Sequence, residues 1–315
     1  MELTFAEIRA LTHGADHISE ESDGLHFHKC TAEQEKAWQE VDHEYYFDRV
    51  RATCGIRLET ETDAEAITFS APSGNKFEIW INGLFYRQIL MDELRGKGEI
   101  PTVKLGTGVK KVMLALPSHS TGVLSAVSLD GATFFRPIRY EKKILFIGDS
   151  ITQGWDSQYD TLSFAYRTAT ALGMDFQICG VGGGRYIPET FDRVASDPDI
   201  IVIAYGVNDF NSRSRKEEDI VPNVRRYLDR VKQTYGDRRV VVLTPIWLCK
   251  KDAEWNGRMR SSIADVAIEK GFEVVDGETL FPKNPAFYSD GYLHPNDLGF
   301  SIYAERLIGY FRKEK

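Results

Sequence analysis

The chain has 315 residues, a net charge of −8 and 42% hydrophobic residues. That length suits two ordinary domains, each with its own core. The acidic balance, without a basic cluster, argues against a nucleic-acid partner, and no apolar run approaches the ~20 residues that span a bilayer.

The start, Met1-Glu2-Leu3-Thr4-Phe5, lacks the basic and apolar segments of a signal peptide. Cys30, Cys54, Cys179 and Cys249 are scattered without a C-x-x-C pair and read as reduced thiols. A cytoplasmic location is the expectation.

Residues 1–140 read as β-rich. Leu25–Cys30 alternates in residue type, 47–62 sets Val50, Ile56 and Leu58 among charges, and Ala66–Ala71 is short and apolar. Phe77–Ile81 meets Asn82-Gly83 and then Leu84-Phe85-Tyr86, which is the strongest short signal for a hairpin. Further strands are expected at Thr102–Leu105, Val109–Leu116, Val123–Leu129 and Phe134–Arg139. Short strands at this spacing predict an all-β sandwich or jelly roll. His26, His28 and Cys30 would share one strand face, a metal-like set that reads more simply as a polar face. His13, His17, His43 and His119 read as surface or capping groups. Trp80 with Tyr86 would either stack on a sugar or fill the sandwich.

From residue 141 the pattern alternates strand and helix. Strands are expected at Ile144–Ile147, Phe176–Val181, Ile200–Tyr205, Val240–Leu243 and Glu273–Val275. Helices are expected at Leu162–Leu172, Ile220–Tyr235, Met259–Glu269 and Leu298–Phe311, with Gly173, Gly236 and Gly271 as left-handed caps behind three of them. This predicts an α/β domain over 141–315 built on a five-stranded, mainly parallel sheet.

Chemistry in such a sheet gathers beyond the carboxyl ends of its strands. Gly148-Asp149-Ser150 follows the first strand, Gly180-Val181-Gly182-Gly183-Gly184 the second, Gly206-Val207-Asn208-Asp209 the third, and Asp290 to His294 the last. A serine there is a turn or cap residue, or else a nucleophile. The glycine run is a tight turn, or it lets a backbone N–H approach a reacting oxygen. It matches neither phosphate-loop pattern, since Arg185 stands where the last glycine would be. Asn208 caps its own turn or offers its amide to an oxyanion. His294 is the only histidine after residue 119, so a serine that needs an imidazole from its own domain has this one. Asp290, four residues earlier, is close enough to fix its tautomer.

In this order, the four stretches resemble the SGNH hydrolases, the GDSL-type esterases and acylhydrolases. The β-rich first part looks like the sandwich that precedes this domain in some bacterial carbohydrate esterases. The resemblance implies a flavodoxin-like fold and no cofactor or metal. It implies Ser150 as nucleophile, His294 as general base and Asp290 as acid partner, with Ser150, Gly183 and Asn208 forming the oxyanion hole. Gly182 is an alternative to Gly183. The family usually places its aspartate three residues before the histidine and here the spacing is four, so a backbone carbonyl is the alternative partner of His294. Asp149, Arg185, Tyr186, Trp247 and Tyr292, with Trp155 and Trp255, are candidate substrate contacts. The expected substrate is a short-chain, acetyl-type ester of a small molecule or oligosaccharide. A lysophospholipase or thioesterase activity and a non-catalytic carbohydrate-binding role are the rivals. Sandwich edges can pair between subunits, which leaves a homo-oligomer open.

Overall fold

The computed structural model describes residues 1–211 and 217–313. Its first part holds three antiparallel sheets. The largest runs Thr12–His13, Arg57–Thr62, Lys110–Ala115, Lys76–Ile81 and Leu84–Leu90, with Phe135–Pro137 also paired to Arg57–Thr62. One smaller sheet runs Val123–Leu124, Gly24–His28 and His17–Glu21, and the other Ala126–Asp130, Ala66–Ser70 and Thr102–Lys104. Alternate residues point inward, as Ile67 and Phe69 do from Ala66–Ser70. The sheets share a core that includes Phe27, Ile56, Phe77, Ile79, Leu114 and Val127. The hairpin forms where expected. Asn82 (φ 51°) and Gly83 (φ 78°) are both left-handed, the geometry of a type I′ turn. The expected strand Val123–Leu129 is two strands, which break at Ser125 to serve different sheets.

The first part departs from the sequence reading in its helices. Residues 47–62 are not one extended stretch: the first five close a helix and only Arg57–Thr62 is strand. Ala32–Val41 (α1) and His43–Arg51 (α2) follow one another directly. Thr31 and Gln34 form a reciprocal capping box at the start of α1, and the Asp42 carboxylate accepts from Tyr45 N–H at the start of α2. Shorter helices form at Phe5–Leu11 and Met91–Lys97. The buried stripe of α1 and α2 does not face the sandwich. Trp38, Tyr46 and Val50 pack with Leu145, Ile147, Cys179 and Val181 of the parallel sheet.

That sheet consists of Lys143–Gly148 (β1), Asp175–Gly180 (β2), Ile200–Ala204 (β3), Arg239–Leu243 (β4) and Glu273–Val275 (β5). All pairs are parallel and the order is β2-β1-β3-β4-β5. This is the flavodoxin-like arrangement, whose switch point lies beyond the ends of β1 and β3. In β1, Ile144 and Phe146 face the helices Phe164–Leu172 and Asp297–Lys313. Leu145 and Ile147 face Glu217–Tyr235, Ala253–Glu269 and α1–α2. All four side chains are buried, each contributing about 1.5–3 kcal/mol. Gly173 (φ 66°) and Gly271 (φ 75°) are left-handed caps, whereas Gly236 is not left-handed. Among the described residues no helix is long and apolar enough to cross a membrane.

A charged cluster ties the two parts together. Arg57 is wholly buried, stacks 3.5 Å from the centre of the Phe176 ring, and bonds Glu59 and the Asp175 carboxylate, the latter at 2.9 Å. Lys143 (3.0 Å) and His13 (3.2 Å) complete the shell around Asp175. His13 is thus an interface residue rather than a surface one.

Candidate active site

The loop after β1 turns at once into a one-turn helix, Ser150–Gln153 (α3), capped by the Asp149 carboxylate on Ile151 N–H at 2.9 Å. The turn is tight enough that a Cβ on Gly148 would collide with Thr152, and one on Gly180 with the backbone of Gln153. Sterics therefore fix Ser150 at the strand end with 8% exposure. Its Oγ lies 3.0 Å from His294 Nε2. His294 Nδ1 lies 3.1 Å from Asp290 Oδ2, so the aspartate reaches the ring at the four-residue spacing. Asp290 Oδ1 accepts from the N–H groups of Tyr292, Leu293 and His294 at 2.9, 2.7 and 3.2 Å, which winds this loop around its carboxylate.

Burial holds His294 below its ordinary pKa, against the pull of Asp156 and Asp290. It is therefore a neutral acceptor at pH 7. Burial pushes the Asp290 carboxyl up, but the three backbone N–H bonds and His294 hold it below its ordinary value. It remains an anion.

The glycine run supplies the facing wall. Gly182 N–H donates to Gln153 Oε1 at 2.9 Å and is spoken for. Gly183 N–H and Ser150 N–H have no partner among the described residues. Gly183 is left-handed (φ 78°), and a Cβ there would run into the Tyr45 ring. Asn208 Nδ2 donates to Gly184 O at 3.1 Å and reaches Asp149 Oδ2 at 3.4 Å. The second contact is long, so that proton is the more weakly held of the two.

The structure relocates several candidate substrate contacts. Asp149 is 2% exposed and acts beneath the site as a cap and a partner of Asn208. Burial, with the Asp209 charge nearby, pushes its carboxyl up to about 7. Tyr186 is fully buried against Tyr205 and Tyr227, and Asp209 accepts from its N–H, so it is core rather than cleft. Arg185 is half-buried and faces the Tyr46 hydroxyl. Trp247 and Trp255 pack partly on the α/β core. Tyr292 is half-buried under Lys250. Trp155 does lie at the site, with its ring 6.3 Å from that of His294.

Sequence reasoning missed what surrounds these residues. From α2, Tyr46 Oη donates to Gly183 O at 3.0 Å and Arg49 to Gly182 O at 3.3 Å. His119 is half-buried beside Trp155, not a surface group. Asp156 Oδ2 lies 3.4 Å from His294 Nδ1. The capping box at Thr31 and Gln34 was a usable signal for the helices. The position of Asp156 beside His294 left none. His26, His28 and Cys30 do not converge: His26 bonds Asp23, His28 bonds Glu35, and Cys30 enters the core.

Residues 146–302 match the GDSL-like lipase/acylhydrolase family. This part of the chain belongs to that family. The family places the protein among carboxylic ester hydrolases, and the fold is that of an SGNH hydrolase behind a β-rich region. Solved structures extend the likeness over nearly the whole chain. A salicylyl-acyltransferase from a tetracycline biosynthetic pathway is 19% identical, with TM-score 0.77 over 93% of this chain and 91% of its own. A family two carbohydrate esterase from Cellvibrio japonicus is 17% identical, with TM-score 0.71 over 96% and 95%. An acetyl xylan esterase from the rumen bacterium Butyrivibrio proteoclasticus is 16% identical, with TM-score 0.61 over 82% and 90%. At these identities the likeness is one of fold. No curated protein sequence matches the chain.

Proposed function

We propose that this protein is a serine esterase that removes short acyl groups, acetyl above all, from carbohydrates. The observation that carries the reading is the unbroken line from Ser150 Oγ through both His294 ring nitrogens to Asp290. His294 takes the Ser150 proton as Oγ adds to the ester carbonyl, and Asp290 holds the imidazolium. The N–H groups of Ser150 and Gly183, with the Asn208 amide, receive the oxyanion. The alcohol leaves with the proton from His294, and water repeats the sequence on the acyl-enzyme.

Substrate class is argued from two features. A cavity of about 600 Å³ between the two parts includes none of Ser150, Asn208 or His294 in its lining. It therefore offers no slot for a long acyl chain. Trp155, its ring 6.3 Å from that of His294, offers a flat surface beside the catalytic groups for a sugar ring. Fold neighbours named as acetyl xylan and carbohydrate esterases agree with this class.

The test compares p-nitrophenyl acetate with p-nitrophenyl decanoate, and acetate release from a panel of acetylated sugars. Turnover of acetate esters that falls about 10⁵-fold or more in Ser150→Ala is the expected result. A preference for decanoate would replace the reading with a lysophospholipase or thioesterase activity. No turnover by the wild type would replace it with a carbohydrate-binding role.

A further inference from the structure

His294 has two carboxylates at one nitrogen. Asp290 Oδ2 lies 3.1 Å from Nδ1 and Asp156 Oδ2 3.4 Å, so both carboxylates face the same ring nitrogen. The two aspartates arrive on different segments. Asp290 belongs to the histidine loop and spends one oxygen on three backbone N–H groups. Asp156 lies on the turn that leaves α3, six residues after Ser150. There Gly154 (φ 88°) and Trp155 N–H close back on the Ser150 carbonyl. Asp156 itself is held left-handed (φ 69°), one of two described non-glycine residues with positive φ. Such a conformation costs roughly 1–3 kcal/mol and persists where the surroundings require it. Its carbonyl accepts from Ser289 Oγ at 3.3 Å, which ties the two segments together.

We propose that Asp156 is a second positioning residue for His294, holding the imidazolium jointly with Asp290. This rests on the esterase reading above. Nδ1 carries a single proton, so one carboxylate takes the hydrogen bond and the other acts by charge. While the ring is neutral the two anions repel each other beside Nδ1. When Nε2 takes the Ser150 proton, a cation forms next to both and that repulsion is offset. The pair therefore stabilises the charged ring more than the resting one, and the gain falls in the transition state rather than the ground state. Because Asp156 moves with the nucleophile turn, it also couples the two loops that must stay 3.0 Å apart at Oγ and Nε2.

The charged groups facing the ring are Asp156 and Asp290, and burial opposes both. Removing one charge therefore lowers the His294 pKa further. The test is Asp156→Asn, since asparagine tolerates left-handed φ, with Asp156→Gly as the second variant should the first not fold. The acid limb of kcat/KM should move to lower pH, with a plateau about 10-fold lower and KM little changed. The double variant with Asp290→Asn should lose more than the product of the single losses, because each carboxylate covers for the other. An unshifted acid limb at full rate, with the double variant equal to Asp290→Asn, overturns the proposal. A readout independent of turnover is the His294 titration followed by NMR in wild type and Asp156→Asn. A lower pKa in the variant supports the proposal even if no ester is hydrolysed, and an identical pKa rejects it.

Discussion

The two regions of this chain divide the work unevenly. The parallel sheet carries the groups that the proposed esterase mechanism uses: Ser150 after β1, Gly183 after β2, Asn208 after β3, and His294 in the loop beyond β5. The β-rich region supplies none of them, yet it holds several in place. Tyr46 and Arg49 bond the carbonyls of the glycine run, and Tyr45 fills the space a Cβ on Gly183 would need. On another side, Gln153 Nε2 donates to Ser118 O at 2.6 Å, and Ser118 N–H to Asp160 at 2.7 Å. One region contributes functional groups and the other their coordinates.

Three substitutions would break or sharpen this division. The largest effect belongs to the sheet: Asn208→Ala should lower kcat about 10²–10³-fold with KM and melting temperature little changed. An effect below tenfold would remove the amide from the oxyanion hole. Next comes the join between regions. Arg57→Ala should cost about 3 kcal/mol in a denaturant titration, because it strands Glu59 and Asp175 without their buried cation. Burial raises the Asp175 carboxyl, but the His13 hydrogen bond and the charges of Arg57, His13 and Lys143 hold it well below 3.8. Its stabilisation is therefore present above that pH and is lost as the pH falls below it. Acid unfolding of Arg57→Ala should begin at higher pH than in the wild type, and equal midpoints would show that the cluster does not matter. The smallest effect probes the first region acting on the second. Tyr46→Phe deletes one bond to Gly183 O and should reduce kcat several-fold, about 1 kcal/mol, at unchanged Tm. A wild-type kcat would confine α2 to packing.

Legibility followed the same division. The five parallel strands lie within a residue or two of the positions read from their apolar runs, because a strand buried on both faces writes its burial into consecutive residues. The loops behind Gly148, Gly183, Asn208 and His294 were readable because the topology forces strand ends to one rim. The hairpin at Asn82-Gly83 was readable because few other residues adopt two left-handed positions in succession. In α1 and α2, by contrast, Trp38, Tyr46 and Val50 stand among charges, and only the end of α2, from residue 47, fell within a stretch singled out in the sequence, where it reads with the β-rich part. Their capping signals are local, but the surface they bury against lies more than 90 residues further along the chain. Tyr186 and Asp149 were placed in the cleft by proximity to the glycine run and to Ser150. Proximity in sequence does not say which way a side chain turns, and both turn inward. Asp156 was invisible because its value lies in a backbone angle and in a neighbour, His294, 138 positions away.

The seat of α1 and α2 has a practical outcome for anyone rebuilding this molecule. A cut at residue 140 would peel Trp38, Tyr46 and Val50 off one face of the hydrolase sheet and bare an oily scar over Cys179 and Val181. The transplantable module is discontinuous: the helical insert has to travel with the α/β half, and a chimera spliced only at the linker inherits a hydrolase missing part of its own floor.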